Sequence, residues 1–374
     1  MLMGSVVRIA QVAPLFESCP PRLYGGTERI VSYVTEELTR LGHEVTLFAS
    51  GDSCTAANLR PGCEGALRLA ECKSPLIYEL AMLHRARREI DDFDVVHLHL
   101  DYLPFPFFAD HSHKTVTTLH GRLDLPDLPF IFRQFPSMPL VSISDAQRAP
   151  MPWANWQATV GHGLPLDLYG YGEGKGNYLA FLGRIAPEKR PDLAIEIAQR
   201  AGIPLQIAAK VDTVDREYFE GDIMPLLRDP LIEFIGEIGD DAKGTFLGDA
   251  LALLFPIDWP EPFGLVMIEA MANGTPVIAF RRGSVPEVIE HGVTGFIVDT
   301  PDEAVTAVRL AVQLDRRVIR RRFEERFSVE RMVQDYLGVY TELLDERRKP
   351  ALLADVDGAE WARVSANALP LPLI

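Results

Sequence analysis

The chain has 374 residues, 47% of them hydrophobic, and a formal net charge of −16. That length predicts two domains with ordinary cores. No run approaches the ~20 apolar residues of a membrane span, and the acidic balance argues against nucleic acid as a partner, because phosphate backbones need clustered Lys and Arg. It also argues against tight docking on an anionic membrane, leaving peripheral contact open. The four cysteines, Cys19, Cys54, Cys63 and Cys72, are scattered with no CxxC and read as free thiols. The N-terminus shows no basic region followed by an apolar stretch, so the expected location is cytoplasmic.

Val6 to Val12 reads as a buried parallel strand. The loop after it ends in Gly25-Gly26, whose backbone N–H groups are candidates to meet a phosphate. Thr27 is expected to cap a helix with Ile30, Val31, Val34, Leu38 and Leu41 on one stripe, and Gly42 ends it. Val45 to Ala49 is the second strand, which completes the opening of a Rossmann-like unit. Residues 51–75 are predicted as loop and Leu76 to Ile90 as helix. The next predicted strand, Asp94 to Asp101, reads DVVHLHLD and puts His97, His99 and Asp101 on one face. Such a row can bind a metal, but satisfied histidines near the mouth of a parallel strand are the preferred reading. Thr115 to Leu119 leads into His120-Gly121-Arg122, where a histidine at a strand end can reach a ligand. The Pro- and Phe-rich stretch 123–139 reads as a lid or acceptor loop. Leu140 to Ile143 is a strand, and Ser144-Asp145 cap a short helix. Gly170, Gly172, Gly174 and Gly176 mark a linker.

Beyond the linker, strands near 178–182, 205–209, 232–235, 250–255, 276–279 and 295–298 alternate with helices, which predicts a doubly wound parallel sheet. The first of them ends in FLGRIAPEKRPD. Arg184 and Lys189 there are the local cations that so acidic a chain needs if it binds a diphosphate, Arg184 as a fork and Lys189 as a point charge. A helix from Ser328 to about Asp345 carries a broad apolar face with Met332, Val333, Tyr336 and Tyr340. The tail 349–374 has no assigned role.

The chain is organised around WPEPFGLVMIEAMANGTPVIAF, Trp259 to Phe280. Glu261 lies in a loop and Glu269 in the helix after it, from about Gly264 to Asn273. The start of that helix has free N–H groups and the positive end of a dipole, which suit an anion. Gly264 allows close approach to the backbone. Two carboxylates would repel a lone phosphate, but they suit hydroxyls. Phosphates in the middle and hydroxyls at both ends describe a nucleotide sugar.

The spacing in EPFGLVMIE resembles the donor-site signature of retaining GT-B glycosyltransferases. Together with GGTERIV and FLGRIAPEKRPD, it makes the chain similar to family 4 of these enzymes from Arg8 to about Glu346. The resemblance implies an α/β GT-B architecture of two Rossmann-like, doubly wound domains facing a central cleft. Residues 1–165 form the acceptor side, 166–177 the linker and 178–327 the donor side, and 328–348 cross back. It implies retaining, metal-independent transfer of a hexose from a donor of the UDP-glucose or GDP-mannose type to an alcohol acceptor, with no cofactor. Arg184 and Lys189 would hold the diphosphate, assisted by the N–H groups of Phe263, Gly264 and Leu265 and faced by Gly25 and Gly26. Glu261 would orient the sugar, Glu269 would bind ribose, and His120 would contact the sugar ring. Asp101 and Arg122 are the acceptor-side candidates. Two departures stand out: Arg190 where many members have Gly, and Lys210 and Asp212 where many have a Gly-rich turn. The alternatives are a nucleotide-sugar epimerase on the same fold and a non-catalytic nucleotide-sugar-binding protein.

Overall fold

The computed structural model describes residues 6–348 except 24, 69 and 71. The predicted tail, 349–374, lies outside the described residues. The first sheet contains β1 (Arg8–Val12), β2 (Glu44–Ser50), β3 (Asn58–Cys63), β4 (Val95–Leu98), β5 (Thr115–Thr118), β6 (Leu140–Ser142) and β7 (Trp156–Thr159). Its order is β3-β2-β1-β4-β5-β6-β7, and every pairing is parallel. Central strands covered on both faces lose nearly all contact with water, so the polar side chains they carry need partners. Accordingly β4 and β5 are buried along their whole length and β1 at all but its first residue.

The stretch 51–75, expected as loop, contains β3. Its sequence, NLRPGC, is polar and carries Pro61. An edge strand tolerates this, because a proline there has only one neighbour to satisfy. β4 is also shorter than expected. It stops at Leu98, and the backbone turns at Asp101, where φ is 46°.

The second sheet contains β8 (Leu179–Arg184), β9 (Leu205–Lys210), β10 (Ile232–Gly236), β11 (Ala252–Phe255), β12 (Val277–Phe280) and β13 (Gly295–Val298). Its order, β10-β9-β8-β11-β12-β13, is again all parallel and repeats the winding of the first. In each sheet the order reverses beside the first strand, which opens a crevice at the carboxyl ends of the strands.

Five helices bear on the crevices and on the join between the halves: α1 (Gly26–Arg40), α2 (Asp240–Asp249), α3 (Leu265–Ala272), α4 (Arg316–Arg326) and α5 (Val329–Arg348). α4 packs on α3 in the second half. The chain then returns, and α5 buries Met332, Val333, Tyr336 and Tyr340 against Ile9, Ile30 and Val34 of the first half. The two crossings run side by side. Leu164 N–H donates to Phe327 O and Val329 N–H to Leu164 O, each at 2.9 Å. Among the described residues, no helix is long and apolar enough to cross a membrane.

Candidate functional site

The second half supplies one wall of a cleft. β8 ends in Gly183-Arg184, and the guanidinium of Arg184 sits 2.5 Å from Glu188 and 2.8 Å from Asp215. The Lys189 ammonium lies 2.5 Å from Glu261 Oε2 and 4.5 Å from the centre of the Trp259 ring. Trp259 Nε1 donates to the same carboxylate oxygen at 2.8 Å. Both expected phosphate-binding cations are thus balanced by carboxylates, which hold them in place.

The loop carrying Glu261 is fixed from behind. Ser284 N–H donates to Glu261 O and Ser284 Oγ to Phe263 O, both at 2.9 Å. Ser144 Oγ reaches across from the first half to Pro262 O at 2.7 Å. Gly264 then adopts φ 79°, the left-handed conformation that favours glycine, and α3 begins at Leu265. From Met267 on, α3 is buried, and Glu269 is its one polar side chain. That carboxylate accepts from Lys243 Nζ at 3.0 Å and from the Tyr169 hydroxyl at 3.4 Å. Lys243 also pairs with Asp240 at 3.2 Å, and Asp240 pairs with Arg29 of the first half.

The first half supplies the other wall. His120 lies directly beyond β5 and Leu119. Its Nε2 is 3.0 Å from His99 Nδ1, and its ring stacks on His162 at 5.3 Å. His162 in turn packs on Phe263, 4.8 Å between ring centres. Burial pushes the His120 imidazolium pKa down to about 3, so the ring is neutral at neutral pH. α1 begins at Gly26 with no side-chain cap, where Thr27 was expected to provide one. Gly25 cannot be replaced without strain, since a Cβ there would lie 2.8 Å from Pro21 Cβ. Beside this turn, Glu28 is buried and accepts the Glu17 N–H at 3.3 Å, while Glu17 pairs with Arg68.

These walls enclose a cleft of about 800 Å³. Gly25, Gly26 and His120 line it from one side, and Arg184, Lys189, Glu261, Phe263, Gly264, Leu265 and Glu269 from the other. The expected acceptor-side pair is placed differently and does not line it. The Asp101 carboxylate faces the backbone N–H groups of His120 and Gly121, just beyond β5. Arg122 is held by Asp124 through two bonds of 2.6 Å and lies 5.7 Å from the Trp259 ring centre, at the rim. The nitrogens of the His97 and His99 row are committed to protein partners: His97 to Tyr340 and Thr118, His99 to Gln11 and His120. Lys210, already singled out in the sequence, lines the cleft and pairs with Asp212 at 2.6 Å.

Arg29, Lys243, His162, Glu17 and Arg68 also line the cleft, and sequence reasoning gave them no role. Arg29 lies inside GGTERIV, in the first turn of an amphipathic helix beside Glu28, where a charge is ordinary. Lys243, in the polar helix DDAKGTFLGD, gave no signal either.

The family model for group 1 glycosyl transferases matches residues 171–327, and that for Glycosyltransferase Family 4 matches residues 24–158. A D-inositol 3-phosphate glycosyltransferase of Mycobacterium leprae is 36% identical over 149 residues, 36% of this chain and 31% of that protein. The matched stretch thus spans about a third of that relative's length. AviGT4, a glycosyltransferase involved in avilamycin A biosynthesis, superposes with a TM-score of 0.67 at 24% identity, covering 91% of this chain and 98% of its own. HepE of Anabaena, solved in complex with UDP-glucose, gives 0.67 at 16% identity, over 90% and 100% of the two chains. At these identities the structural likeness speaks to the fold alone. The two family models match residues 24–158 and 171–327, one in each half: the chain belongs to the family 4 glycosyltransferases.

Proposed function

We propose that the protein is a retaining, metal-independent hexosyltransferase that moves a hexose from a nucleoside diphosphate sugar of the UDP-glucose or GDP-mannose type to an alcohol acceptor. The observation that carries this reading is the convergence on one cleft of two cations, Arg184 and Lys189, a glycine-entered helix mouth, two buried carboxylates and a neutral histidine from the opposite wall. Residues 1–165 serve as the acceptor side and 178–327 as the donor side, joined by 166–177 and by the crossing helix. HepE, with UDP-glucose bound on the same fold, supports a donor of this class.

In this reading Arg184, Lys189 and the N–H groups at the start of α3 offset the charge that grows on the leaving diphosphate. Glu261 and Glu269 accept hydrogen bonds from the sugar and ribose hydroxyls. The Lys189–Glu261 pair opens to serve both ends of one ligand: the ammonium turns to phosphate and the carboxylate to the sugar. The acceptor oxygen bonds to the anomeric carbon on the face from which the diphosphate departs. The anomeric C–O bond breaks, and the acceptor's proton leaves on the diphosphate. Closure of the cleft excludes water, which competes with the acceptor. The protein acts in the cytoplasm and needs no cofactor besides its donor.

The test is thermal stabilisation of the purified protein by UDP, GDP and ADP, followed by slow hydrolysis of the matching sugar donors with and without a chelator. One nucleotide should stabilise by about 4 kcal/mol at 1,000 times its dissociation constant. Glu269→Ala and Arg184→Ala should abolish the shift, and the chelator should leave hydrolysis unchanged. Absence of stabilisation by all three nucleotides overturns the donor-site reading.

A further inference from the structure

Behind His120 runs a chain of buried polar groups that the transfer chemistry does not use. Gln11 lies at its centre, between His99 and Tyr340. Its Oε1 faces His99 Nε2 at 2.8 Å, and its Nε2 faces the Tyr340 hydroxyl at 3.1 Å. An amide has a donor end and an acceptor end, so it gives the chain a direction. Facing Oε1, His99 Nε2 must carry a proton. Desolvation keeps the His99 ring neutral, so its Nδ1 is bare and accepts. The group 3.0 Å from that nitrogen is His120 Nε2, which must therefore donate.

The other branch obeys the same rule. The Gln11 amide donates to the Tyr340 oxygen. Tyr340 donates to His97 Nδ1 at 2.8 Å, His97 Nε2 donates to Thr118 Oγ1 at 2.7 Å, and Thr118 donates to the Tyr336 oxygen at 3.1 Å. Turning the Gln11 amide over would reverse every bond and place the His120 proton on Nδ1. That nitrogen is buried and has no protein partner. A buried N–H with no acceptor is rarer and costlier than a bare acceptor, so the reversed chain is disfavoured.

We infer that Gln11, His99 and Tyr340 are positioning residues that fix His120 in the tautomer with its proton on Nε2, leaving Nδ1 free to accept a hydrogen bond from a ligand hydroxyl. This deepens the reading of His120 as the residue that meets the transferred sugar, and it rests on that reading. It also gives α5 a second role: the helix that ties the two halves together supplies the hydroxyl that orients a cleft histidine.

The first arm of the test needs no ligand. Protein labelled with 15N-histidine is studied by long-range proton–nitrogen correlation, and the His120 signals are assigned by their loss in His120→Asn. The expected wild-type pattern is a single neutral tautomer protonated on Nε2. Tyr340→Phe removes one hydroxyl and keeps the packed ring, and Gln11→Leu removes the amide. Each should produce a tautomer mixture at His120. kcat/KM for donor hydrolysis should fall by the same factor as the Nε2–H population, because only that fraction is competent. A wild-type His120 protonated on Nδ1, or a tautomer unchanged in both variants, overturns the inference. If the tautomer shifts as expected while His120→Asn hydrolyses donor at the wild-type rate, the positioning stands and the assignment of His120 to the sugar falls.

Discussion

Glu28 is a carboxylic acid in the wrong surroundings for one. It is buried in the first turn of α1, and desolvation raises its pKa from the ordinary 4.5 to about 7, against the backbone N–H bonds of Glu28 and Glu17 that lower it. The folded state therefore holds this proton more tightly than the unfolded chain. The stability it contributes is present at acidic pH and is lost as the pH rises from 4.5 through 7. At pH 8 the cost is on the order of 2–3 kcal/mol. Glu28→Gln keeps the oxygen that receives the Glu17 N–H but cannot ionise. Urea unfolding should show it more stable than wild type by about 1–3 kcal/mol at pH 8, with the gain gone at about pH 4.5. The difference between the two proteins carries the test. Both lose stability below about pH 6.5, where the buried histidines, His97 and His120 at about 3, resist taking up protons. A gain of equal size at both values would show that Glu28 is not the titrating group. Nothing in GGTERIV announces this shift, because burial is a property of the folded cleft. By contrast, Glu261 and Glu269 were legible, because loop, glycine and helix bring them to one mouth within a single local stretch.

At the scale of elements, the long apolar strands were plain in the sequence because both faces of a parallel sheet are covered. β3 was not. As an edge strand it is half-exposed, polar and interrupted by Pro61, so neither apolar content nor alternation marked it. The entry to α3 was legible for the opposite reason, since its proline and glycine are themselves punctuation. That entry carries a prediction. At Gly264 the backbone has φ 79°, and an added Cβ would lie 2.7 Å from Met267 Cε and 3.2 Å from Phe255 Cζ. The methionine end can move; the packed Phe255 ring has less freedom. Gly264→Ala should cost about 1–3 kcal/mol in stability through the left-handed backbone. The first turn of α3 should then shift off its present line, weakening nucleotide binding by about tenfold or more. Calorimetric titration of the folded variant checks this. Unchanged affinity would move the phosphate site away from the helix mouth.

At the scale of the whole molecule, the question is what holds two separately wound halves around one cleft. The hinge is the paired crossing at Leu164 and Phe327–Val329. On one side the Glu287 carboxylate accepts the N–H groups of Asp145 and Ala146, each at 2.8 Å. Across the cleft, Arg29 pairs with Asp240, which shares Lys243 with Glu269. These partners stand 211 positions apart, and no local pattern links them, which is why the sequence could not show the pair. The Arg29 side chain is 3% exposed and the Asp240 side chain 29%, so the cation is desolvated and depends on the geometry of its partner. A chain with a net charge of −16 repels itself and favours the open arrangement unless such contacts oppose it. Arg29→Ala should therefore open the cleft. Small-angle scattering of the ligand-free variant should give a larger radius of gyration than wild type, and saturating nucleotide should recover part of the difference by bridging the walls. Arg29→Lys keeps the charge without the planar fork and should fall between the two. If Arg29→Ala leaves the radius of gyration unchanged, the Arg29–Asp240 pair only decorates a closure set by Glu287 and the hinge. If it opens, the same pair that closes the molecule also holds Lys243 against Glu269, so closure and the Glu269 carboxylate are parts of one charge network.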